Sequence, residues 1–146
     1  MEGKLRHLRE RRADGDRGFT LIELLVVVVI IGILVAIAVP LYLNYRKGAE
    51  NRSAQSDMRN AITAVEQCYT EIGNAYPASK TSTAGPTTLT LTCSPGTDQT
   101  VNISSGNTLT YTLGAGTPAS YTVAVKNSDT GKTYTYTSSN GQVVIS

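Results

Sequence analysis

Residues 18–45 read GFTLIELLVVVVIIGILVAIAVPLYLNY. The only charge in this stretch is Glu23, and from Leu24 to Val39 every side chain is apolar or absent. A bilayer span needs about 20 predominantly apolar residues at a helical rise of ~1.5 Å each, so the run is long enough to cross. Arg46 and Lys47 close it, as a water interface would. A buried core helix is the alternative, and a domain this small cannot wrap a helix that is apolar on every side.

Either side of the run the composition changes. The chain has 146 residues, of which 40% are hydrophobic and only 16% charged, with a formal net charge of +2. That balance excludes a strongly basic nucleic-acid binder. All of the excess charge lies in residues 1–18, a basic leader. Arg6, Arg9, Arg11, Arg12 and Arg17 there predict an N-terminus kept in the cytoplasm and a C-terminal part outside. Ala36-Ile37-Ala38 is formally a small-x-small secretory cleavage site. Glu23 at the start of the apolar run and Pro40 just after the site speak against it.

The hexapeptide Gly18-Phe19-Thr20-Leu21-Ile22-Glu23, with a charged leader before it and an apolar helix containing Gly32 and Pro40 after it, resembles the class III signal of type IV pilins and pseudopilins. The resemblance covers roughly residues 18–60. It implies cleavage after Gly18 by a prepilin peptidase, methylation of the new amino group of Phe19 by the same enzyme, and extraction of the subunit into a helical filament by a pilus assembly platform. It also implies that Glu23 pairs with the Phe19 amino group of a neighbouring subunit and so sets axial register. The physics agrees, since an intramembrane carboxylate is a functional residue with a partner by default. A Glu merely tolerated at headgroup level is the bland alternative. Pro40 removes a helical donor and clashes with the preceding turn. Gly32 and Pro40 together predict a kink in an isolated subunit and, by the resemblance, an unwound segment in an assembled one.

Beyond Tyr45 the pattern turns amphipathic. Met58, Ala61, Ile62, Val65, Tyr69 and Ile72 recur at steps of three and four, with Glu50, Arg52, Asp57, Arg59, Glu66 and Glu71 between them. Gly73-Asn74 is a stop signal. One helix of about 80 Å from Phe19 to Ile72 is expected, at ~1.5 Å per residue. From Thr87 onward the period is two. The strand candidates are 87–92, 101–103, 109–113, 121–125, 133–137 and 143–145, with turns at Asp129-Thr130-Gly131 and Asn140-Gly141. Thr alternates with Leu, Val and Tyr, as on a sheet with one packed and one wet face.

The expected architecture is α+β: a long N-terminal helix packed on a C-terminal antiparallel β-meander head, the type IV pilin fold. Its parts are a cleaved leader (1–18), a transmembrane and assembly helix (19–45), an amphipathic helix (46–73), a loop region (74–100) and an antiparallel head (101–146). Cys68 and Cys93 lie in the part expected outside the cytoplasm, where two cysteines usually pair. Two buried thiols are the alternative. No metal site, cofactor or catalytic residue is expected: His7 lies in the leader, and after Glu71 the only acidic residues are Asp98 and Asp129, too few for a Ca²⁺ loop.

The resemblance implies a structural, non-enzymatic subunit that polymerises with itself. It would be single-pass in the cytoplasmic membrane before assembly and part of an extracellular pilus afterwards, serving adhesion, motility or DNA uptake. A type II secretion pseudopilin and a membrane-anchored extracytoplasmic binding module are the alternatives. Surfaces or DNA as partners are left open.

Overall fold

A computed structural model of the chain describes residues 18–116 and 119–146. Of the leader, only Gly18 lies among the described residues. Contacts divide the chain into two units, with the boundary in sequence between Tyr42 and Leu43.

Helix α1 spans Leu21–Glu71. Thr20 caps it: the Glu23 N–H donates to the Thr20 hydroxyl (3.3 Å) and the Leu24 N–H to the Thr20 carbonyl (3.2 Å). At the other end Gly73 and Asn74 both adopt positive φ (79° and 67°), and the Asn74 N–H closes back on the Tyr69 carbonyl at 2.9 Å. This left-handed ending is the stop that Gly-Asn encodes.

In the first unit the apolar side chains of α1 are exposed on every side. In the second unit α1 buries one stripe: Ala54, Asp57, Met58, Ala61, Ala64, Val65 and Cys68. Ile62 and Ile72 are only partly buried and pack at its margin. The stripe is thus richer in small residues than the aliphatic pattern suggested, and Asp57, expected on the polar side, lies within it.

Seven strands follow: β1 (Lys80–Thr81), β2 (Thr87–Leu91), β3 (Gln99–Ile103), β4 (Asn107–Leu113), β5 (Tyr121–Asn127), β6 (Thr133–Thr137) and β7 (Gln142–Ile145). Strands β4 to β7 form an antiparallel meander, and β1 adds to its β4 edge, giving the order β1-β4-β5-β6-β7. The β2–β3 pair is a separate two-stranded sheet. One long helix followed by antiparallel strands makes the chain α+β and matches the pilin fold. Within the expected loop region 74–100, β2 coincides with the strand candidate at 87–92, while β1 and the start of β3 at Gln99 correct the loop expectation. β1 is only two polar residues long, too short to carry any period, and it exists because β4 offers an open edge.

Alternation places Leu109, Tyr111, Tyr121, Val123, Val125 and Tyr134 on one face, all buried in one cluster with the α1 stripe, Leu89, Leu91, Val101 and Ile103. Residues facing each other across strands belong to the same set, as in Leu109↔Val125, Tyr111↔Val123 and Val125↔Tyr134. The intervening Thr residues are left partly or fully exposed. Asp57 accepts from the Ser104 N–H (2.8 Å), the Ser104 hydroxyl (2.8 Å) and the Asn107 amide (2.7 Å). Asn107 in turn accepts from the Asn127 amide (2.7 Å), whose own oxygen caps the β5–β6 turn through the Asp129 and Thr130 N–H groups. This buried chain of hydrogen bonds ties α1 to the β3–β4 and β5–β6 turns. Gly85 sits where a Cβ would run into the Ser104 carbonyl, so its lack of a side chain lets the segment before β2 approach that turn.

Candidate functional site

The residues singled out by the sequence fall in two places. At the start of α1, Phe19 is 88% exposed, and with Ile22, Glu23, Val26 and Val27 it lines a hollow. Glu23 completes a capping box: its Oε2 accepts from the Thr20 N–H and from the Thr20 hydroxyl, each at 2.8 Å. This contact is not among the expectations, although Thr20-Leu21-Ile22-Glu23 carries its signature, a Thr followed three residues later by Glu. Among the described residues Glu23 Oε1 has no hydrogen-bond partner. The carboxylate is therefore oriented by its own helix while one oxygen faces outward. Gly32 and Pro40 both lie within the continuous α1. Pro40 has no N–H for the Ala36 carbonyl, so one rung is missing there.

In the second unit Cys68 and Cys93 form a disulfide with Cα atoms 5.2 Å apart, both fully buried. The loop after β2 is held from both ends: the Cys93 N–H donates to Asp98 Oδ1 (2.9 Å) and the Thr97 N–H to Glu71 Oε2 (3.3 Å). The second unit also holds a tyrosine cluster. Ring centroids are 4.5 Å apart for Tyr69–Tyr76, 5.0 Å for Tyr76–Tyr121, 5.8 Å for Tyr111–Tyr121 and 6.0 Å for Tyr121–Tyr136. Burial pushes the Tyr111 phenol up to about 12, with the nearby Tyr76 and Glu66 adding to it, while its OH donates to the Pro77 carbonyl at 3.0 Å. Tyr121 is also raised, first by burial and then by its 2.6 Å hydrogen bond to Glu66. These phenols are neutral donors with a structural role: Tyr121 anchors the sheet to α1 through Glu66, and Tyr111 anchors it to the segment after α1 through Pro77.

Asp98 and Asp129 are both engaged, Asp98 by Cys93 and Asp129 by the Arg46 guanidinium at 3.4 Å. No cluster of three or more His, Cys, Asp or Glu among the described residues is placed to hold a metal ion. α1 is long and apolar enough at its N-terminal end to cross a membrane.

Residues 14–39 match the family described as the prokaryotic N-terminal methylation motif. The type IV major fimbrial protein FimA of Dichelobacter nodosus is 49% identical over 53 residues, 36% of this chain and 34% of the relative. A fimbrial protein of Pseudomonas aeruginosa is 39% identical over 88 residues, 58% of this chain and 57% of the relative. Fimbrial protein Q of Moraxella bovis is 34% identical over 94 residues, 64% and 59% respectively. The chain thus spans about a third of the length of the Dichelobacter relative and under two thirds of the other two. No solved structure matches it. Motif and relatives together support likeness to the type IV pilins. An N-terminal methylation motif leading an apolar helix fits membrane anchoring and an extracellular pilus.

Proposed function

We propose that this chain is the repeating subunit of a type IV pilus, stored in the membrane by its apolar helix and built into a filament through the same helix. The observation that carries this reading is one surface: an α1 run from Phe19 to Tyr45 exposed on every side, with a single carboxylate, Glu23, whose Oε1 is free among the described residues. A soluble monomer does not leave so large an apolar surface bare. Lipid covers it before assembly and the helices of other copies cover it afterwards.

In this reading prepilin peptidase cuts between Gly18 and Phe19 and the new Phe19 amine is methylated. The amine of an incoming subunit then meets the outward oxygen of Glu23 on a neighbour. The capping box holds that carboxylate in place, so little order is lost on pairing. Loss of helicity between Gly32 and Pro40 lets the packed filament stretch. Insertion with the N-terminus on the cytoplasmic side follows from the basic leader. The assembly platform extracts the subunit, and the Thr-rich head then faces outward for adhesion, motility or DNA uptake.

Substitution of Glu23 tests the reading. If α1 is only an anchor, Glu23→Ala removes a charge that opposes insertion by at most ~2.5–3.5 kcal/mol, the cost at a helix centre, and the membrane pool is unchanged or larger. If α1 is stored for assembly, the same change leaves an amine buried without its counter-charge, at about 3–5 kcal/mol for each subunit. The expected outcome is normal cleavage, a full membrane pool and few or no filaments, with Glu23→Asp partly defective. Abundant filaments from Glu23→Ala, counted by electron microscopy in cells with no unsubstituted copy, would refute the pairing.

A further inference from the structure

Outside the Phe19–Tyr45 run, the large hydrophobic side chains left exposed among the described residues are Val143, Val144 and Ile145, all on β7. β7 is the last strand of its sheet, so one of its sides has no neighbour. Thr133 and Ser146 exchange both backbone hydrogen bonds, at 2.8 and 3.0 Å. The alternation of an antiparallel ladder then turns the N–H and C=O groups of Ile145 and Val143 away from β6. Val143 stands opposite Tyr136 and Ile145 opposite Tyr134, so both side chains share the face that meets α1. Yet Val143 is 47% and Ile145 57% exposed, where Tyr134 is 2% exposed. The packing face of the sheet runs one strand further than α1 covers it.

We infer that β7 is the seat for a second copy of this chain, and that its occupant is the apolar surface of that copy's α1 between Leu21 and Leu43. The inference rests on the pilus-subunit reading above and names the surface that such a subunit uses. Three observations select the occupant. First, the two half-exposed aliphatic side chains on that face, Val143 and Ile145, present roughly 200 Å² at most, well short of the ~800 Å² per partner of a stable pair. An unrelated protein would not stay, whereas a copy already held through its own helix needs no more. Second, beyond Leu43 the exposed positions of α1 include Arg46, Lys47, Arg52 and Arg59, which break up the apolar surface and must keep their charged heads in water. Among the described residues the exposed large hydrophobic side chains lie on the helix run and on β7 itself. Third, β7 against β7 is a self-complementary contact that closes a two-fold dimer, while β7 against a different patch leaves an open end on each copy and propagates. A filament needs the second kind.

Two experiments on the full chain in the membrane-assembled state decide this. In filaments carrying a photo-crosslinking amino acid in place of Val143, the expected adduct joins β7 to a peptide from residues 19–45 of another copy. An adduct to β7 of another copy, or only to its own chain, overturns the assignment. In parallel, Val143→Thr combined with Ile145→Thr keeps strand-forming side chains but removes the apolar face. Filament yield is expected to fall about ten-fold, with the membrane pool unchanged and Cys68 and Cys93 still protected from alkylation. Val144→Thr, on the opposite face, should stay within about two-fold of the unsubstituted chain. Undiminished filaments from the double variant, or an equal defect from Val144→Thr, overturn the β7 seat and leave the pilus reading standing. Absence of filaments from the unsubstituted chain overturns that reading and the seat with it.

Discussion

Asp57 is 3% exposed and surrounded by three donors, two from Ser104 and one from Asn107. A buried carboxylate persists only where hydrogen bonds replace its water. Asp57→Ala removes the acceptor and strands those donors, which is expected to lower unfolding free energy by about 3 kcal/mol or more. Asp57→Asn keeps an acceptor but turns an NH2 toward existing donors, so an intermediate loss is expected. Denaturant unfolding of the detergent-solubilised protein, followed by tyrosine fluorescence in a chain without Trp, measures both. Stability equal to the unsubstituted chain would show that the network is dispensable. The spacing of Asp57 is legible in the sequence, four before Ala61, but its charge argued for the solvent side. Only its meeting with Ser104 and Asn107, about fifty positions away, makes burial affordable. Glu23 shows the reverse: its local partner Thr20 is readable from spacing alone, because a capping box needs nothing beyond its own turn.

Each element depends on closures of different range. The Cys68–Cys93 bridge joins α1 to the loop after β2 across a sequence separation of 25. Closing a loop of that size restricts the unfolded chain, so reduction, or Cys68→Ser with Cys93→Ser, is expected to cost about 3 kcal/mol. A lower unfolding midpoint checks it, with a denaturant sensitivity equal or higher because the unfolded chain is less compact without the bridge; an unchanged midpoint would mean that the pinning by Asp98 and Glu71 suffices. The β4–β5 pair is tied to the segment after α1 by the Tyr111 OH, and that phenol titrates at about 12 against an ordinary 10.0. The folded state therefore holds the proton more tightly than the unfolded chain. Its contribution is fully present below pH 10 and is lost as pH rises toward 12. Tyr111→Phe is expected to be less stable at pH 7 and to show a shallower fall between pH 10 and 12. Identical slopes for the two chains would remove Tyr111 from the alkaline transition. Pairing partners such as β1 with β4 are not encoded in local pattern, because two polar residues become a strand only beside an open edge.

For the whole molecule, the decisive observable is the exported subunit's mass. The first residue of the processed chain is expected to be Phe19 carrying one methyl group, with the two cysteines oxidised. A chain beginning at Val39, after the Ala36-Ile37-Ala38 site, would lack the assembly helix and exclude a filament. The two units differ in composition: from Gly18 to Tyr42 the first carries a single charge, Glu23, while the second sets Thr side chains on the exposed face of its sheet over a buried core.

What the sequence by itself determined is whatever depends on near neighbours. The membrane-length run, the stop at Gly73-Asn74, the strands from β4 to β7 and the turns at Gly131 and Gly141 all follow from spacing, since helix and strand periods and positive-φ glycines act within a few residues. The tertiary structure decided the rest: the burial of Asp57, the addition of β1 to β4, the separation of β2–β3 from the main sheet and the bare apolar face of β7. Each of these depends on which surface meets which across tens of residues, and no local period carries that information.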